Sequence, residues 1–335
     1  MKSVGIIALI LLCACGAETP PQLELAGNTM GTQFSIKLAT GAGDFDAQYL
    51  QQEIEGKLAH INDLISTYAA DSVISKFNSS KTTDWYPVLD EFCLAVENAL
   101  AISHLTNGSF DITVGPLVNL WGFGPGDIVD QVPDNASIET LRASVGFEYL
   151  QTDCTAPAIK KEIAELVLDM SAIGKGYAAD RVADLLEELG FEDYLVEIGG
   201  EMRLRGSNAL GKKWAIGIEV PSPNERRPHT IIRLSDTAVA TSGDYRNYFE
   251  VDGTRYSHTI DSRTGKPVTH SLASVTVVDK LGSRADALAT ALLVMGPIDG
   301  MELATREGMA ALFLLRTNGG IEERSTPAFQ ELRST

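Results

Sequence analysis

The chain has 335 residues, of which 44% are hydrophobic and 21% are charged. This balance is typical of an ordered soluble protein with a sizeable core, and it excludes extensive disorder. The 27 basic and 45 acidic residues give a formal net charge of -18, which argues against nucleic-acid binding because a phosphate backbone requires a basic surface.

The N-terminal residues resemble an export signal. Lys2 precedes an apolar run from Val4 to Ala14 that is shorter than the roughly 20 residues needed to span a bilayer. The run ends in Leu12-Cys13-Ala14-Cys15, which resembles a bacterial lipoprotein signal with cleavage before Cys15 and a lipid on its thiol. We therefore expect a signal peptide over 1–14, a lipidated tether over 15–22 and anchoring to the periplasmic side of the inner membrane. A plain cleaved signal peptide is the alternative.

Helices and strands then follow without a regular alternation. Periodicity predicts a strand pair or one bent strand over 23–38, followed by helices at 45–65 and 91–105. The next predicted elements are a strand at 111–114, an extended loop at 122–135, a strand or hairpin at 158–168 and a helix at 175–189. Strands are predicted at 194–198, 202–205, 214–220, 230–234, 248–251, 255–260 and 271–278. Helices at 284–294 and 298–307 and a strand at 310–316 complete the prediction.

This order of elements favours an α+β fold, with largely antiparallel sheets and packed helices. No proline-rich linker or low-complexity segment divides the sequence, so we expect a single unit with two lobes. Cys93 and Cys154 are the two cysteines of its body, and they lack the spacing of a metal site. An exported protein could pair them, but Cys93 falls on the apolar face of a predicted helix, so we expect a buried, inert thiol.

The segment LDMSAIGKGYAAD at 168–180 is a candidate for phosphate binding. Asp169 can accept hydrogen bonds from a polar ligand, Lys175 supplies a positive charge, and Gly174 and Gly176 allow close approach of the backbone. The helix beyond them offers free N–H groups. A Gly-Lys-Gly turn that opens a helix is also common without any ligand. The spacing is not that of a Walker A loop, and Gly41–Asp46 lacks the third glycine of a dinucleotide fingerprint.

A second candidate is the pair Asp286 and Thr290, which are four residues apart in a predicted helix. Their carboxylate and hydroxyl therefore share one face, and such hard oxygen ligands suit Mg²⁺, which takes only one or two protein carboxylates. The alternative is that Thr290 bonds to a backbone carbonyl and Asp286 interacts with the helix dipole.

A third candidate is His258, which lies in the polar segment SHTIDSRTG at 257–265. Beside Asp261, this histidine can act as a general base near neutral pH, although the same residues could form a hydrogen-bonded corner. The segments GNTMGT at 27–32, GSFDITVGP at 108–116 and ATSGDY at 240–245 have the residues of a pocket for a polar, planar ligand. Each could also be a turn.

Eight segments, in this order, resemble those of the ApbE-like flavin transferases, the FAD:protein FMN transferase family. They are GNTMGTQFSI, STYAADSVISKFN, GSFDITVGPLVNLWGFG, LDMSAIGKGYAAD, EIGGEMRLRG, ATSGDYRNY, YSHTIDSRTGKP and ADALATALLVMG. The resemblance covers Gly27 to about Arg316, and no motif residue is missing. It implies one domain over 23–320, with 321–335 as a C-terminal tail.

The resemblance implies that FAD lies across one pocket, with Mg²⁺ beside its diphosphate. The implied FAD-binding positions are Met30, Tyr68, Ser109, Phe110, Asp111, Asp169, Lys175, His258, Ile260 and Asp261. The implied metal ligands are Asp286, Thr290 and the backbone carbonyl of Ala172. Enzymes of this family move FMN from FAD to a Ser or Thr hydroxyl of an acceptor protein and release AMP. Their acceptors are membrane redox proteins such as subunits of sodium-pumping quinone reductases or related electron-transfer complexes.

For such a reaction we expect His258, oriented by Asp261, to accept the proton of the acceptor hydroxyl, with Lys175 supporting the leaving group. One alternative is a FAD pyrophosphatase that uses water as the acceptor. Tyr68 favours transfer, because an aromatic residue at this position accompanies transferase activity in the family and a bulky ring helps to exclude water. The other alternative is a non-catalytic flavin-binding lipoprotein, which would need neither His258 nor the pair Asp286 and Thr290.

Overall fold

The computed structural model describes residues 22–39, 46–125 and 131–334. The predicted signal peptide and Cys15 lie outside these residues. The elements up to residue 188 are β1 (Gln22–Thr29), β2 (Thr32–Ala39), α1 (Ala47–Ile65), α2 (Val73–Ser79), β3 (Tyr86–Pro87), α3 (Asp90–Leu105), α4 (Gly115–Leu120), α5 (Asn135–Arg142), β4 (Leu150–Asp153), β5 (Ala158–Lys161) and α6 (Gly174–Glu188).

The second half is richer in strands. Its elements are β6 (Tyr194–Ile198), β7 (Glu201–Arg205), β8 (Trp214–Glu219), β9 (Pro228–Leu234), β10 (Thr237–Gly243), β11 (Tyr248–Val251), β12 (Thr254–Ser257), β13 (Ile260–Asp261), β14 (Lys266–Pro267), β15 (Leu272–Asp279), α7 (Gly282–Arg306), β16 (Ala310–Thr317), β17 (Gly320–Ser325) and α8 (Pro327–Ser334).

An eight-stranded sheet lies at the centre, in the order β1-β2-β6-β7-β10-β15-β16-β17. Its neighbouring strands are antiparallel, which confirms the predicted α+β class. The main apolar core joins one face of the sheet to α1, α3, α6 and α7. A second core joins the opposite face to the β8–β9 hairpin and α8. Strand β15 is therefore buried on both faces, which explains why apolar residues occur at both odd and even positions along it.

A smaller apolar cluster forms the second lobe. It includes Leu117 and Trp121 from the region of α4, Ile138 from α5 and Phe249 from β11. The Trp121 indole donates a hydrogen bond of 2.9 Å to the Gly265 carbonyl. This bond ties the lobe to the polar segment that carries His258.

Residues 111–114, predicted as a strand, form a turn, because the Asp111 carboxylate accepts hydrogen bonds from the backbone N–H and the hydroxyl of Thr113. The tail predicted over 321–335 begins within the edge strand β17, which pairs with β16. Exposed and half-buried residues alternate along β17, and its charged residues Glu322, Glu323 and Arg324 suit a sheet edge. Phe329 beyond it is buried in the second core.

The two helices predicted near the C-terminus form the single element α7, which is kinked at Gly296 and Pro297. Gly296 has a φ of 83°, outside the helical range, and proline removes a helical hydrogen bond. Among the described helices, α7 alone is long and apolar enough to cross a membrane. Most of its residues are buried within the fold, as in the core helix of a soluble domain.

Cys93 and Cys154 form a disulfide bond, so the expectation of an inert thiol is wrong. Periodicity identified the apolar face of α3, but it carried no information on which distant residue lies against that face.

We expect the double variant Cys93→Ser/Cys154→Ser to have a free energy of unfolding lower by about 2–4 kcal/mol, since the bond closes a long loop in the unfolded chain. Urea denaturation of the oxidised wild type and of the variant measures this difference. The matched control is the reduced wild type, which should unfold at the same midpoint as the variant. A variant as stable as the oxidised protein would contradict the prediction.

Candidate functional site

A cleft of about 1000 Å³ lies between the tip of the β1–β2 hairpin, α1 and the start of α6. Its lining includes Met30, Tyr68, Asp169 and Lys175, so four of the predicted FAD-binding residues share one cavity. Met30 and Gly31 have positive φ angles of 48° and 70°, as a two-residue hairpin turn of type I′ requires. This turn places Met30 at the cleft wall, and Tyr68 is 74% exposed.

The start of α6 is bonded to α7 through Asp286. The Gly176 N–H lies in the first turn of α6, where backbone N–H groups have no partner within the helix, and it donates to Asp286 Oδ2 at 3.0 Å. No described group donates a hydrogen bond to the Ala172 carbonyl. This carbonyl and the Asp286 carboxylate are therefore two oxygen groups near the start of α6 that could bind a cation.

Gly174 and Gly176 allow this close packing of helices. A Cβ atom at Gly176 would lie 2.1 Å from the Gly282 carbonyl oxygen, and one at Gly174 would lie 2.8 Å from Ile65 Cδ1. The sequence had suggested that these glycines admit a ligand to the backbone. In the structure Gly176 allows the close approach of α7 and Gly174 that of α1, while Gly174 and Lys175 both line the cleft.

Asp180 fixes the N-terminus of α7 against α6. Its carboxylate accepts hydrogen bonds from the N–H groups of Gly282 at 2.6 Å and Ser283 at 2.9 Å. Asp286 follows one turn later and Thr290 another turn later, with the Thr290 hydroxyl 2.9 Å from the hydroxyl of Ser242 in β10. The predicted face shared by Asp286 and Thr290 is thus turned towards α6 and β10.

Lys175 lies among buried carboxylates. Its ammonium is 3.4 Å from Glu201 Oε1. Burial opposes the charge of Lys175, but Asp286 and Glu201 more than offset burial, and the pKa of Lys175 is raised. Burial, reinforced by Asp286 and opposed by Lys175, raises the pKa of Glu201. One ammonium thus lies near two acidic side chains and, among the described residues, pairs with Glu201 and not with Asp286.

The oxygen groups of this cluster fit Mg²⁺. Within the described residues, no group of three or more His, Cys, Asp or Glu side chains could hold a metal ion, which excludes a cage built from such side chains there. Mg²⁺ usually takes one or two carboxylates and leaves its other positions to water and substrate phosphates. The Asp286 carboxylate, the Thr290 hydroxyl and the free Ala172 carbonyl form a donor set of this kind.

Among the described residues, one ring nitrogen of His258 is hydrogen-bonded and the other has no partner. Its Nδ1 donates to the Asn247 carbonyl at 3.0 Å, so Nε2 carries the lone pair in the neutral ring. Burial lowers the pKa of His258, and the charge of Lys175 adds to this effect, while the bond to Asn247 opposes it. The ring of Phe123 packs against the imidazole at a centroid distance of 6.2 Å. Such an imidazole is suited to accept a proton.

Asp261 does not orient His258, so that part of the prediction is wrong. The Asp261 carboxylate is bound on both oxygens by Arg263, with Oδ1–Nε and Oδ2–Nη2 distances of 2.9 Å. Arg263 is two residues away in the same turn and can bind both oxygens of the Asp261 carboxylate. The group that bonds to His258 Nδ1 is the Asn247 carbonyl, where the carboxylate of Asp261 had been expected.

The other predicted FAD-binding side chains lie outside the main cleft. Phe110 is in the main core and Ile260 is in the small cluster. Asp111 lines a separate pocket of about 340 Å³. Burial raises the pKa of Asp111 to about 6, although Thr113 and Phe147 donate hydrogen bonds to its carboxylate. The buried Ser109 hydroxyl has no hydrogen-bond partner among the described residues.

The model of the ApbE family matches residues 30–313. The chain belongs to the ApbE family. It is 44% identical to the FAD:protein FMN transferase of Vibrio cholerae over 332 residues, covering 99% of this chain and 98% of that protein. A solved structure of the flavin transferase ApbE from Vibrio cholerae has a TM-score of 0.87 and 43% identity, covering 93% of this chain and 99% of that one. The apo form of the Pseudomonas stutzeri flavinyl transferase ApbE has a TM-score of 0.86 and 40% identity, covering 94% of this chain and 98% of that one.

Glu201 and Asn247 of this ApbE site were not named in the sequence prediction, and Ser242 entered it only as part of the pocket segment ATSGDY. Glu201 and Ser242 fall in segments that carried the ApbE resemblance, EIGGEMRLRG and ATSGDYRNY. Nothing in those segments indicated that Glu201 would pair with Lys175 or that Ser242 would reach Thr290. Asn247 contributes a backbone carbonyl, which side-chain patterns do not reveal.

Proposed function

We propose that the chain transfers FMN from FAD to a Ser or Thr hydroxyl of an acceptor protein, with Mg²⁺ as cofactor and AMP as the second product. The observation that carries the proposal is the cluster of Lys175, Asp286 and the free Ala172 carbonyl at the start of α6, where Lys175 also lines the cleft. The cleft volume is at the upper end of the usual range for ligand pockets. Relatives from Vibrio cholerae and Haemophilus influenzae, both named FAD:protein FMN transferase, support the reaction.

In this reaction the acidic and oxygen-bearing residues of the cluster would bind the metal ion, and Lys175 would bind the substrate's negative charge. Asp286, Thr290 and the Ala172 carbonyl would hold Mg²⁺, which polarises the diphosphate and offsets charge on the AMP leaving group. Lys175 adds a second positive charge at the same helix start. His258 Nε2 accepts the proton of the acceptor hydroxyl as that oxygen attacks the phosphorus. Positioning and charge neutralisation provide most of the catalysis in phosphoryl transfer.

Tyr68 favours a protein hydroxyl over water as the acceptor. Its ring is largely exposed and lines the cleft, where it can pack against a planar ligand and restrict the entry of water. A flavin-binding protein without activity would not need the lone pair of His258 or the oxygen groups of Asp286 and Thr290.

The test is to incubate the purified full chain with FAD, MgCl₂ and an acceptor subunit of a membrane redox complex, and to measure the mass of the acceptor. We expect the mass to increase by one FMN, and EDTA to abolish the increase. An acceptor of unchanged mass would contradict transfer, and an increase unaffected by EDTA would contradict the role of the metal.

We also propose that the enzyme is a lipoprotein on the periplasmic side of the inner membrane, where membrane redox proteins are its acceptors. The Leu12-Cys13-Ala14-Cys15 segment supports lipid attachment. The Cys93–Cys154 disulfide supports an oxidising compartment, because such bonds are rare in the cytosol.

Replacing Cys15 by Ala should move the protein from the membrane fraction to the soluble periplasmic fraction, since the thiol that carries the lipid is lost. Immunoblots of fractionated cells measure this distribution, and Cys13→Ala is the matched control that should stay with the membrane. A Cys15→Ala protein that still sediments with membranes would show that the anchor lies elsewhere.

A further inference from the structure

Glu201 is a buried carboxylate with only one of its two oxygens paired among the described residues. It is 4% exposed and follows the turn formed by Gly199 and Gly200, which have positive φ angles of 62° and 107°. Its Oε1 pairs with Lys175, whereas Oε2 is buried without a hydrogen-bond partner among the described residues. A half-satisfied buried carboxylate is costly for stability.

The same turn confines the side chain of Lys175. A Cβ atom at Gly199 would lie 3.1 Å from Lys175 Cδ and 2.9 Å from Thr32 Cγ2. The backbone of the turn thus packs closely against the aliphatic part of Lys175 and the β1–β2 hairpin. Lys175 is fixed at two points, by this backbone along its stem and by Glu201 at its ammonium.

Two carboxylates attract the ammonium of Lys175, but it pairs with only one of them. Asp286 and Glu201 both raise the pKa of Lys175. In the described part of the chain, Lys175 forms an ion pair with Glu201 and none with Asp286. An ammonium paired with Asp286 would occupy the position of a cation and cancel the charge that attracts one.

We propose that Glu201 is a positioning residue that holds the Lys175 ammonium away from Asp286 and so keeps the Asp286 carboxylate open for a cation. The inference rests on the proposed function, since it assigns the cation to the Mg²⁺ of that reaction. Glu201 does not line the cleft, so it acts through Lys175. One side chain thereby separates the two positive charges of the site, the ammonium and the metal ion.

The test measures Mn²⁺ binding to the full chain by electron paramagnetic resonance, without FAD or acceptor. We expect Glu201→Gln to weaken Mn²⁺ binding about tenfold, which corresponds to an interaction of about 1.4 kcal/mol, because Lys175 is released towards Asp286. In a Lys175→Met background the same substitution should change binding by less than twofold. Glu201→Asp, which keeps the charge, should stay within threefold of the wild type.

Unchanged Mn²⁺ binding in Glu201→Gln would overturn the proposal. An equal loss of Mn²⁺ affinity in the Lys175→Met background would also overturn it, because Glu201 would then act on the metal ion directly and not through Lys175. Should Glu201→Gln fail to fold, as judged by circular dichroism, Glu201→Asp decides the question, and a tenfold loss in that variant overturns the proposal. Failure of the proposed function is separate, because it appears as a wild type that binds Mn²⁺ but never modifies an acceptor.

Discussion

Replacing Asp286 by Asn is expected to lower the rate of FMN transfer by about 10³-fold or more, because a metal ion at a transferring phosphoryl group contributes several kcal/mol. The asparagine oxygen can still accept the hydrogen bond of the Gly176 N–H. The variant therefore removes the negative charge while the contact between α6 and α7 is retained. Initial rates at several Mg²⁺ concentrations measure the effect, with thermal melting to check the fold.

Asp299→Asn is the matched control for that experiment. Asp299 lies on the same helix, is exposed, and lies beyond the kink at Gly296 and Pro297. We expect this control to transfer FMN at the wild-type rate. If Asp286→Asn kept more than a tenth of the activity at limiting Mg²⁺, the metal would have to be bound elsewhere.

Replacing His258 by Ala is expected to lower the rate of transfer by about 10² to 10⁴, the usual contribution of a general base. His229→Ala is the matched control, because His229 is on β9 at the opposite face of the sheet and pairs with Glu323. Retention of transfer within threefold of the wild type in His258→Ala would remove the histidine from the mechanism.

The pH profile gives a second test of His258. A base must be unprotonated to act, and burial lowers the pKa of His258 from its ordinary value of 6.5. The acid limb of kcat/KM should therefore have its midpoint below pH 6.5, with activity falling only as pH drops through the lowered pKa. Asp261→Asn should leave this midpoint in place, since Arg263 binds that carboxylate. A midpoint that shifts in Asp261→Asn would contradict this expectation and would support the original prediction that Asp261 orients His258.

Local patterns sufficed for features that depend on neighbours in sequence. The period of α6 and the spacing of Asp286 and Thr290 predicted a helix and a shared face, and both are present. The turn at Met30 and Gly31 was anticipated as an interruption between strands. Such features follow from backbone preferences over a few residues, which a single sequence contains.

Features that depend on distant residues were not predictable in the same way. The hydrogen bond from Gly176 to Asp286 joins residues 110 positions apart. The disulfide joins residues 61 apart. The pattern of apolar positions showed that α3 and α6 have buried faces, but it could not show which elements cover them.

The FAD-binding positions taken from the family resemblance also differ in where the structure places their side chains. Met30, Tyr68, Asp169 and Lys175 lie in one cleft, whereas the side chains of Phe110 and Ile260 pack in two apolar clusters. A motif shared with a family indicates where a segment lies in the fold. It does not show whether a given side chain in that segment packs in the core or faces the ligand.

The most direct test of the central claim is the ratio of AMP released to FMN attached when the wild type acts on FAD and an acceptor with MgCl₂ present. Chromatography of the nucleotides and mass spectrometry of the acceptor measure the two products in one reaction. We expect a ratio of about one, because each cleaved diphosphate delivers its FMN to a hydroxyl of the protein. AMP formed with no modified acceptor would contradict it and make the chain a FAD pyrophosphatase.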